Sequence, residues 1–334
     1  MRVTDHLRTG LWKTIQALIT IVVVYIVVFV IVTVIPGDPI TNRLRDPQNG
    51  YSTEQIDALL AYYRLDRPVA EQLWYSLIRF AHGDLGLSLA STRPVSDIYL
   101  HAAGSTVILS VLALTFALLL AAAIAVGAQY LPRRYGGDLL RSLPSLFLSL
   151  PNFLIGLLLI DLFAFRLGWF DITGYRGVSA AIPAAIALAI PVSSQITQVF
   201  IQSLDSVRHE PYAIVAEAKG LSAPYIFFRH LLRPAALPTL TVIGVTAGEV
   251  IGGAVITETI FGRTGIGSVI EKAVTNKDVP VLQGGVVLAA VVFLVINLIV
   301  DLTYPLLDPR LRRAARRIRR AQPGSIPATE GATP

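Results

Sequence analysis

The sequence predicts an all-α polytopic membrane protein with six transmembrane helices, and three observations carry that expectation. Of the 334 residues, 54% are hydrophobic and 15% charged, against roughly 45–50% and 25% in soluble domains. Six stretches, at approximately 14–35, 98–128, 142–165, 178–203, 235–257 and 279–300, are uncharged or nearly so. Each reaches the ~20 residues that a helix needs to cross hydrocarbon. The remaining charge segregates: 1–13, 129–141, 201–235 and 306–334 carry nets of +2, +2, +1 and +5, whereas 36–99, 166–180 and 258–280 carry −2, +1 and 0. Lys and Arg collect on the cytoplasmic side of such proteins, so the chain is expected to be multi-pass with both termini cytoplasmic. The overall +6 is then a topological signal, and no nucleic-acid partner is expected. With no Cys, disulfides and thiol chemistry are excluded.

Residues 1–98 comprise an N-terminal tail, the first transmembrane helix and an extracytoplasmic region. The apolar run after Arg2, Arg8 and Lys13 is too long for a secretory signal and ends in Ile35-Pro36-Gly37 without a small-x-small cleavage site. It is read as a retained helix over 12–35, stopped by Pro36 and Gly37. Beyond it, Ser52 followed by Gln55 forms a capping box for a helix over 53–64. Pro68 suits the first turn of another over 68–80, and Gly83-Asp84-Leu85-Gly86 reads as a turn. Tyr62, Tyr63, Trp74 and Tyr75 either pack as a cap or sit at headgroup level.

Residues 99–308 form a five-helix transmembrane core. In the helix over 99–128, Ala113, Ala117, Ala121 and Ala125 recur every fourth residue, placing small side chains on one packing face. Pro144 and Pro151, then Pro183 and Pro191, are expected to bend the starts of helices three and four. In helix five, Gly244, Gly248 and Gly252 make two overlapping Gly-x-x-x-Gly steps, which serve helix packing or line a pathway. Residues 309–334 form a basic cytoplasmic tail with seven Arg between Arg310 and Arg320. It is a topological anchor or an anionic-lipid contact, and past Ala321 its composition predicts disorder.

Three acids fall in or beside the apolar stretches: Asp161, Glu249 and Asp301. Facing lipid at mid-depth would cost each several kcal/mol. Asp161, with Arg166 nearby, and Asp301, with Asn297 one turn earlier, lie near helix ends and read as structural. Glu249 sits mid-helix beside the glycines, and two readings are open: a pathway carboxylate that senses substrate charge, or a buried bond that orients the helix. No second buried acid or filter-like loop supports a proton relay or an ion channel.

The cytoplasmic loop 201–235 is patterned. In Glu210-Pro211-Tyr212-Ala213-Ile214-Val215-Ala216-Glu217-Ala218-Lys219-Gly220, Pro211 fits a first helical turn and Gly220 a C-terminal cap. A second short helix is expected around 223–232, after which Pro234 and Pro238 interrupt re-entry into the membrane. From physics alone, this is a docking knob for a cytoplasmic partner or a helix lying on the membrane.

The sequence resembles the inner-membrane permeases of ATP-binding-cassette (ABC) importers, in the branch for dipeptides, oligopeptides and nickel, and with it a type I importer permease fold. In that superfamily a Glu-Ala-Ala…Gly loop supplies the coupling helix that sits in a cleft of the ATPase subunit. The matching element is Ala216-Glu217-Ala218-Lys219-Gly220, with Ala216 in place of the first Glu, followed by Phe228-Arg229-His230 and Pro234. Further similarity follows in order over residues 10–310. It includes Ile35-Pro36-Gly37-Asp38-Pro39, Gly83-Asp84-Leu85-Gly86-Leu87-Ser88, Ser149-Leu150-Pro151-Asn152-Phe153, Glu258-Thr259-Ile260-Phe261, Gly265-Ile266-Gly267 and Leu307-Asp308-Pro309-Arg310.

The resemblance implies a non-enzymatic pore subunit importing dipeptides or oligopeptides. Its implied partners are a homologous second permease, two ATP-binding-cassette subunits and an extracytoplasmic solute-binding protein. No phosphate-loop motif occurs in the chain, so no cofactor is expected on it, and ATP with Mg is expected on the partner ATPases. Coupling to them is implied for Pro211, Ala216, Glu217, Ala218, Lys219, Gly220, Arg229, His230 and Pro234. Gly244, Gly248, Glu249 and Gly252 are candidates for the pathway or for helix packing. The alternatives are a permease for nickel or another small solute, and a carrier working alone.

Overall fold

A computed structural model describes residues 3–34, 44, 46, 50–169 and 181–307. The expected Ile35–Pro39 stop signal, the basic tail and its expected disorder lie outside them, as does the side chain of Asp301. Among the described residues the chain is helical, with one isolated antiparallel bridge between Leu87 and Pro94. Lipid offers no hydrogen-bond partners, so segments that cross it must satisfy their backbone internally, and a helix does so.

Helix α1 spans Val3–Val34, and its apolar crossing runs from Trp12 to Ile31. Two shorter helices follow, α2 (Thr53–Tyr63) and α3 (Val69–Ala81). Both halves of the capping box form at α2: Ser52 Oγ accepts from the Gln55 amide at 3.2 Å, and Gln55 Oε1 accepts from the Ser52 amide at 3.0 Å. Pro68 sits at the N-cap of α3, one position before its expected place. Gly83 and Gly86 both have positive φ, as the turn between them requires. Of the four aromatics, Tyr62 and Tyr63 pack, whereas Trp74 and Tyr75 remain exposed. The Tyr62 hydroxyl donates to Asp84, and Tyr63 donates to the Leu87 carbonyl at 2.6 Å. Burial is the main cause that pushes both phenols' pKa up, so both stay protonated donors.

Helix α4 (Val95–Tyr130) has 36 residues, about 54 Å at about 1.5 Å each, and it overshoots the hydrocarbon. Its expected small face is the central seam of the molecule. Ala113, Ala117, Ala121 and Ala125 are each 0–1% exposed, and they lie along α7 (Ala181–Arg208). Ala113 clusters with Ala184, Ala185 and Leu188, and Ala125 with Phe200, Ile201 and Leu204. Helix α7 runs through Pro191 without a break.

The third apolar stretch is not one rod. It forms α5 (Gly137–Ser149) and α6 (Asn152–Leu159), the latter continued by a π-helical turn over Ile160–Arg166, and the two are bent by 105°.

 Helix α6, Asn152–Leu159, starts only after the chain turns. The residue before a proline is disfavoured in the helical region, and Leu150, preceding Pro151, is extended at φ −94° and ψ 127°. The wider π turn also brings residues five apart into register, which is how Arg166 Nε reaches Asp161 at 2.8 Å.

Three elements follow Arg208: α8 (Pro211–Ala218), α9 (Ala223–Ile226) with a π turn over Phe227–Leu231, and α10 (Leu232–Ile260). The expected interruption at Pro234 and Pro238 is absent. The π turn over Phe227–Leu231 runs directly into α10, with the Leu232 amide donating to the Phe227 carbonyl, and the helix continues through both Pro234 and Pro238. Helices α11 (Ile266–Thr275) and α12 (Val279–Leu307) complete the described residues. Among these residues five helices are long and apolar enough to span a membrane, or six if the bent pair counts as one.

Two buried carboxylates hold the end of the bundle where α4 begins. Glu258, 0% exposed, caps α11: its Oε2 accepts from the amides of Gly267 at 2.8 Å and Ser268 at 3.3 Å, and its Oε1 accepts from Thr106 Oγ1 at 2.6 Å. Thr106 Oγ1 in turn accepts from the Ile266 amide at 2.8 Å. A helix leaves its first amides unsatisfied and carries a partial positive charge there, so one carboxylate answers both needs. Gly265 and Gly267 lie against it so closely that a Cβ at Gly265 would strike the carboxylate and one at Gly267 the Val255 backbone. Asp278, 3% exposed, accepts from Ser88 Oγ at 2.6 Å and from the amides of Leu89 and Ala90, both at 3.1 Å. It ties the loop before α4 to the corner between α11 and α12.

Glu258→Ala would strand the donors from Thr106, Gly267 and Ser268, at about 1–3 kcal/mol for each buried group left unpaired. A clear fall in the thermal midpoint of the purified protein is expected, with Glu258→Gln intermediate; an unchanged midpoint for Glu258→Ala would contradict this role. Ala113→Leu should also lower it by overpacking the α4–α7 seam, at about 1–3 kcal/mol, whereas Val111→Leu, on the exposed side of α4, should not.

Candidate functional site

At the opposite end of α4 and α7, the chain leaves the bundle over residues 209–231 and returns as α10. Helix α8 begins with Glu210 in extended backbone at its N-cap and Pro211 at the first helical position. It ends at Lys219, and Gly220 follows with φ +73°, a left-handed conformation that other residues resist. Only two α8 side chains are buried, Ala213 at 1% and Ala216 at 5% exposed. They belong to the same buried core as Ala125, Ala128, Phe200 and Leu204, so small residues bring α8 into the core shared by the ends of α4 and α7. Glu217, Ala218, Lys219 and Gly220 face outward, and Glu217 pairs with Arg208 at 3.4 Å.

The remaining positions singled out in this loop diverge. Arg229 is exposed, His230 is half-buried with its ring 5.9 Å from that of Tyr225, and Pro234 is half-buried at the start of α10. Ile226, Phe227 and Leu231 anchor this segment in the same core as Ala213 and Ala216. An apolar surface stays open beside them, comprising Ile214 at 55%, Val215 at 51% and Leu221 at 39% exposed, with Phe228 at 70%. Contiguous exposed apolar surface marks a site of interaction.

A polar junction that the sequence did not reveal sits beneath α8. Asp205 of α7 accepts from Arg141 Nη1 of α5 at 2.6 Å, from Arg141 Nη2 at 3.1 Å and from Gln129 Nε2 of α4 at 2.6 Å. One carboxylate thus joins three helices immediately before the chain turns into α8. Residues 76 and 64 positions apart in sequence meet there, and no local spacing announces them. A two-pronged guanidinium contact fixes orientation as well as distance.

The four positions noted on helix five lie in different surroundings. Gly244 and Gly248 are buried, and the Phe293 ring of α12 occupies the space a Cβ on Gly248 would need. Gly252 is exposed with open space around it, and the glycine that meets α7 is Gly253, against Leu188. Glu249 is exposed and accepts from Gln195 Nε2 of α7 at 3.1 Å. Val245, Glu249, Gly252 and Ile256 therefore form an outward stripe along α10. Depth in an apolar span makes a bare carboxylate costly against lipid, so the stripe requires water or protein over it.

The family model for the inner membrane component of binding-protein-dependent transport systems matches residues 113–313. Relatives along nearly the whole chain are glutathione transport system permease proteins. That of Salmonella typhimurium is 31% identical over 294 residues, covering 88% of this chain and 95% of the relative. An Escherichia coli protein is 30% identical over 293 residues and one from Shigella boydii 29% over 293, each with the same coverage. With this match, its helical spans and the outward-facing loop helix, the chain belongs to the inner-membrane permeases of binding-protein-dependent ABC importers, in their peptide-type branch.

Proposed function

We propose that this chain is the transmembrane pore subunit of an ATP-driven importer of dipeptides or oligopeptides. The glutathione named for its relatives is itself a short peptide, which supports that substrate class. In this reading a homologous second permease completes the pathway, two ATPase subunits carrying ATP and Mg dock below, and a solute-binding protein delivers substrate from outside. Both termini lie in the cytoplasm, as the charge distribution supports.

The observation that carries the proposal is the seating of α8. Its inner face is two alanines against α4 and α7, while Ile214, Val215 and Leu221 present an apolar surface for an ATPase cleft. Closure of the ATPases on nucleotide displaces α8. The displacement passes to α7 through the Ala213 and Ala216 contacts and the turn at Arg208–Pro211, and to α10 through the helical segment 223–232, which joins it without a break. Glu217 with Arg208, and Asp205 with Arg141, keep the junction oriented as it moves. Both pairs are partly exposed and so act through geometry more than energy. The ATPases can shift access only by contacting α8 differently in the two states. Along the pathway, Glu249 with Gln195 forms the polar contact for a substrate ammonium group, and the stripe around it faces the second permease and the water between them.

Gly220→Pro imposes φ near −65° on a residue held at +73°. Membrane insertion should survive while transport uncouples from ATP hydrolysis; unchanged complex assembly together with unchanged substrate-stimulated ATPase would contradict the proposal. Glu249→Gln should reduce uptake of cationic peptides more than neutral ones, and equal effects across substrate charge would remove the electrostatic role. Uptake of labelled di- and oligopeptides by the reconstituted complex, against free and chelated nickel, tests the substrate class. Peptide-independent nickel import would overturn it, and uptake by the isolated chain would favour a carrier.

A further inference from the structure

A cavity of about 220 Å³ lies between the final turns of α1, the helix α3 and the start of α12, far above the about 10–15 Å³ that one water needs. Arg79 and Gln283 both line it, and each carries a buried donor, Arg79 Nη1 and Gln283 Nε2, that is bonded to nothing among the described residues. Buried polar groups almost always have partners, and an unmet charged donor is the more costly kind.

The other polar groups of the wall are engaged. Tyr25 pairs with Ser76, the Tyr63 hydroxyl exchanges hydrogen bonds with Leu87, and Asp84 accepts from Tyr62 and the Gly86 amide. Gln72 donates to the Arg67 carbonyl and Thr33 to that of Phe29. What the cavity lacks is therefore an acceptor. The Arg79 guanidinium is held beside it over the rings of Tyr62 and Tyr63, at 4.4 and 5.4 Å.

Position and charge narrow the chemistry. The apolar crossing of α1 ends at Ile31, and α1 contributes Tyr25, Phe29 and Thr33 to the wall, whereas Arg79 and Asp84 come from the polar region beyond it. The cavity thus lies at the boundary between apolar and polar surface, where headgroups sit. Below it, α1 exposes Val22, Val23, Val27 and Val30 to acyl chains. Asp84 on the same wall offsets the charge of Arg79, which suits a singly charged phosphodiester better than a free phosphate dianion. We propose that this cavity binds the phosphodiester of a membrane phospholipid, with Arg79 and Gln283 donating to its oxygens.

The test is lipid retention by the purified complex containing the full chain, read by native mass spectrometry after detergent exchange. Wild type should keep a phospholipid that Arg79→Met and Gln283→Leu retain about tenfold less, the factor for losing one charge-assisted hydrogen bond. Arg79→Lys, which keeps the charge, should retain more than Arg79→Met and guards against a folding artefact. Phosphatidylglycerol or phosphatidylethanolamine should raise the melting temperature of delipidated wild type, whereas inorganic phosphate and a phosphate-free glycolipid should not. Equal lipid retention by all variants would overturn the proposal, as would equal stabilisation by inorganic phosphate, which would make this a free-anion site, or by the glycolipid.

Discussion

Where this chain stops being a helix inside its packed interior, no water is at hand, and each backbone group must find its hydrogen bond within the chain. That constraint accounts for the most buried acid among the described residues, Glu258. Between α10 and α11 the chain turns at Phe261–Gly265, and the exposed amides of the new helix meet Glu258 and Thr106 instead of water. The loop before α4 solves the same problem with Asp278, whose carboxylate takes two backbone amides and the Ser88 hydroxyl. Asp278 lies 188 to 190 residues from the groups it binds, and Glu258 joins amides 9 and 10 residues away to Thr106, 152 residues before it, so satisfying the backbone also fixes tertiary structure.

The two ends of the bundle are built differently, and the difference matches the proposed division of labour. Buried carboxylates bonded to backbone lock the end that carries Glu258 and Asp278. The end that carries α8 relies on alanine packing and on ion pairs that are one-third to one-half exposed, which water and salt weaken. A seam of small residues along α4 and α7 joins the ends, and close packing transmits a shift rather than absorbing it. Work delivered at the softer end is thereby carried along two long helices towards the stiffer one.

Most of the framework was legible in the sequence because it is local and periodic. The apolar stretches, the four-residue alanine repeat, the Ser52–Gln55 box and the Gly83–Gly86 turn all depend on neighbours a few residues apart. The failures share the opposite property. Pro144 and Pro151 announce a disturbance, but the 105° bend also depends on where α5 and α6 find packing partners. Pro234 and Pro238 announce an interruption, but the π turn over Phe227–Leu231 lets the helix run on through them. Gly252 shares its spacing with Gly244 and Gly248, yet only the latter two are buried. Asp205 has its partners 64 and 76 residues away, and Glu258 is set by Thr106, 152 residues before it, so neither role shows in local spacing. The glycines at 265 and 267 were the available hint for Glu258, since they leave backbone amides open to an anion.

The absence of Cys from the chain allows the central claim, that an ATPase drives the pore through α8, to be tested with one introduced thiol. Val215→Cys, on the outward face of α8, can be labelled with a membrane-impermeant maleimide in vesicles of either orientation. The account predicts labelling only from the cytoplasmic side, strong protection when the ATPase subunits are bound, and a change in that protection on adding nucleotide. Labelling from the outside, or labelling from the cytoplasm that the ATPases never alter, would contradict it.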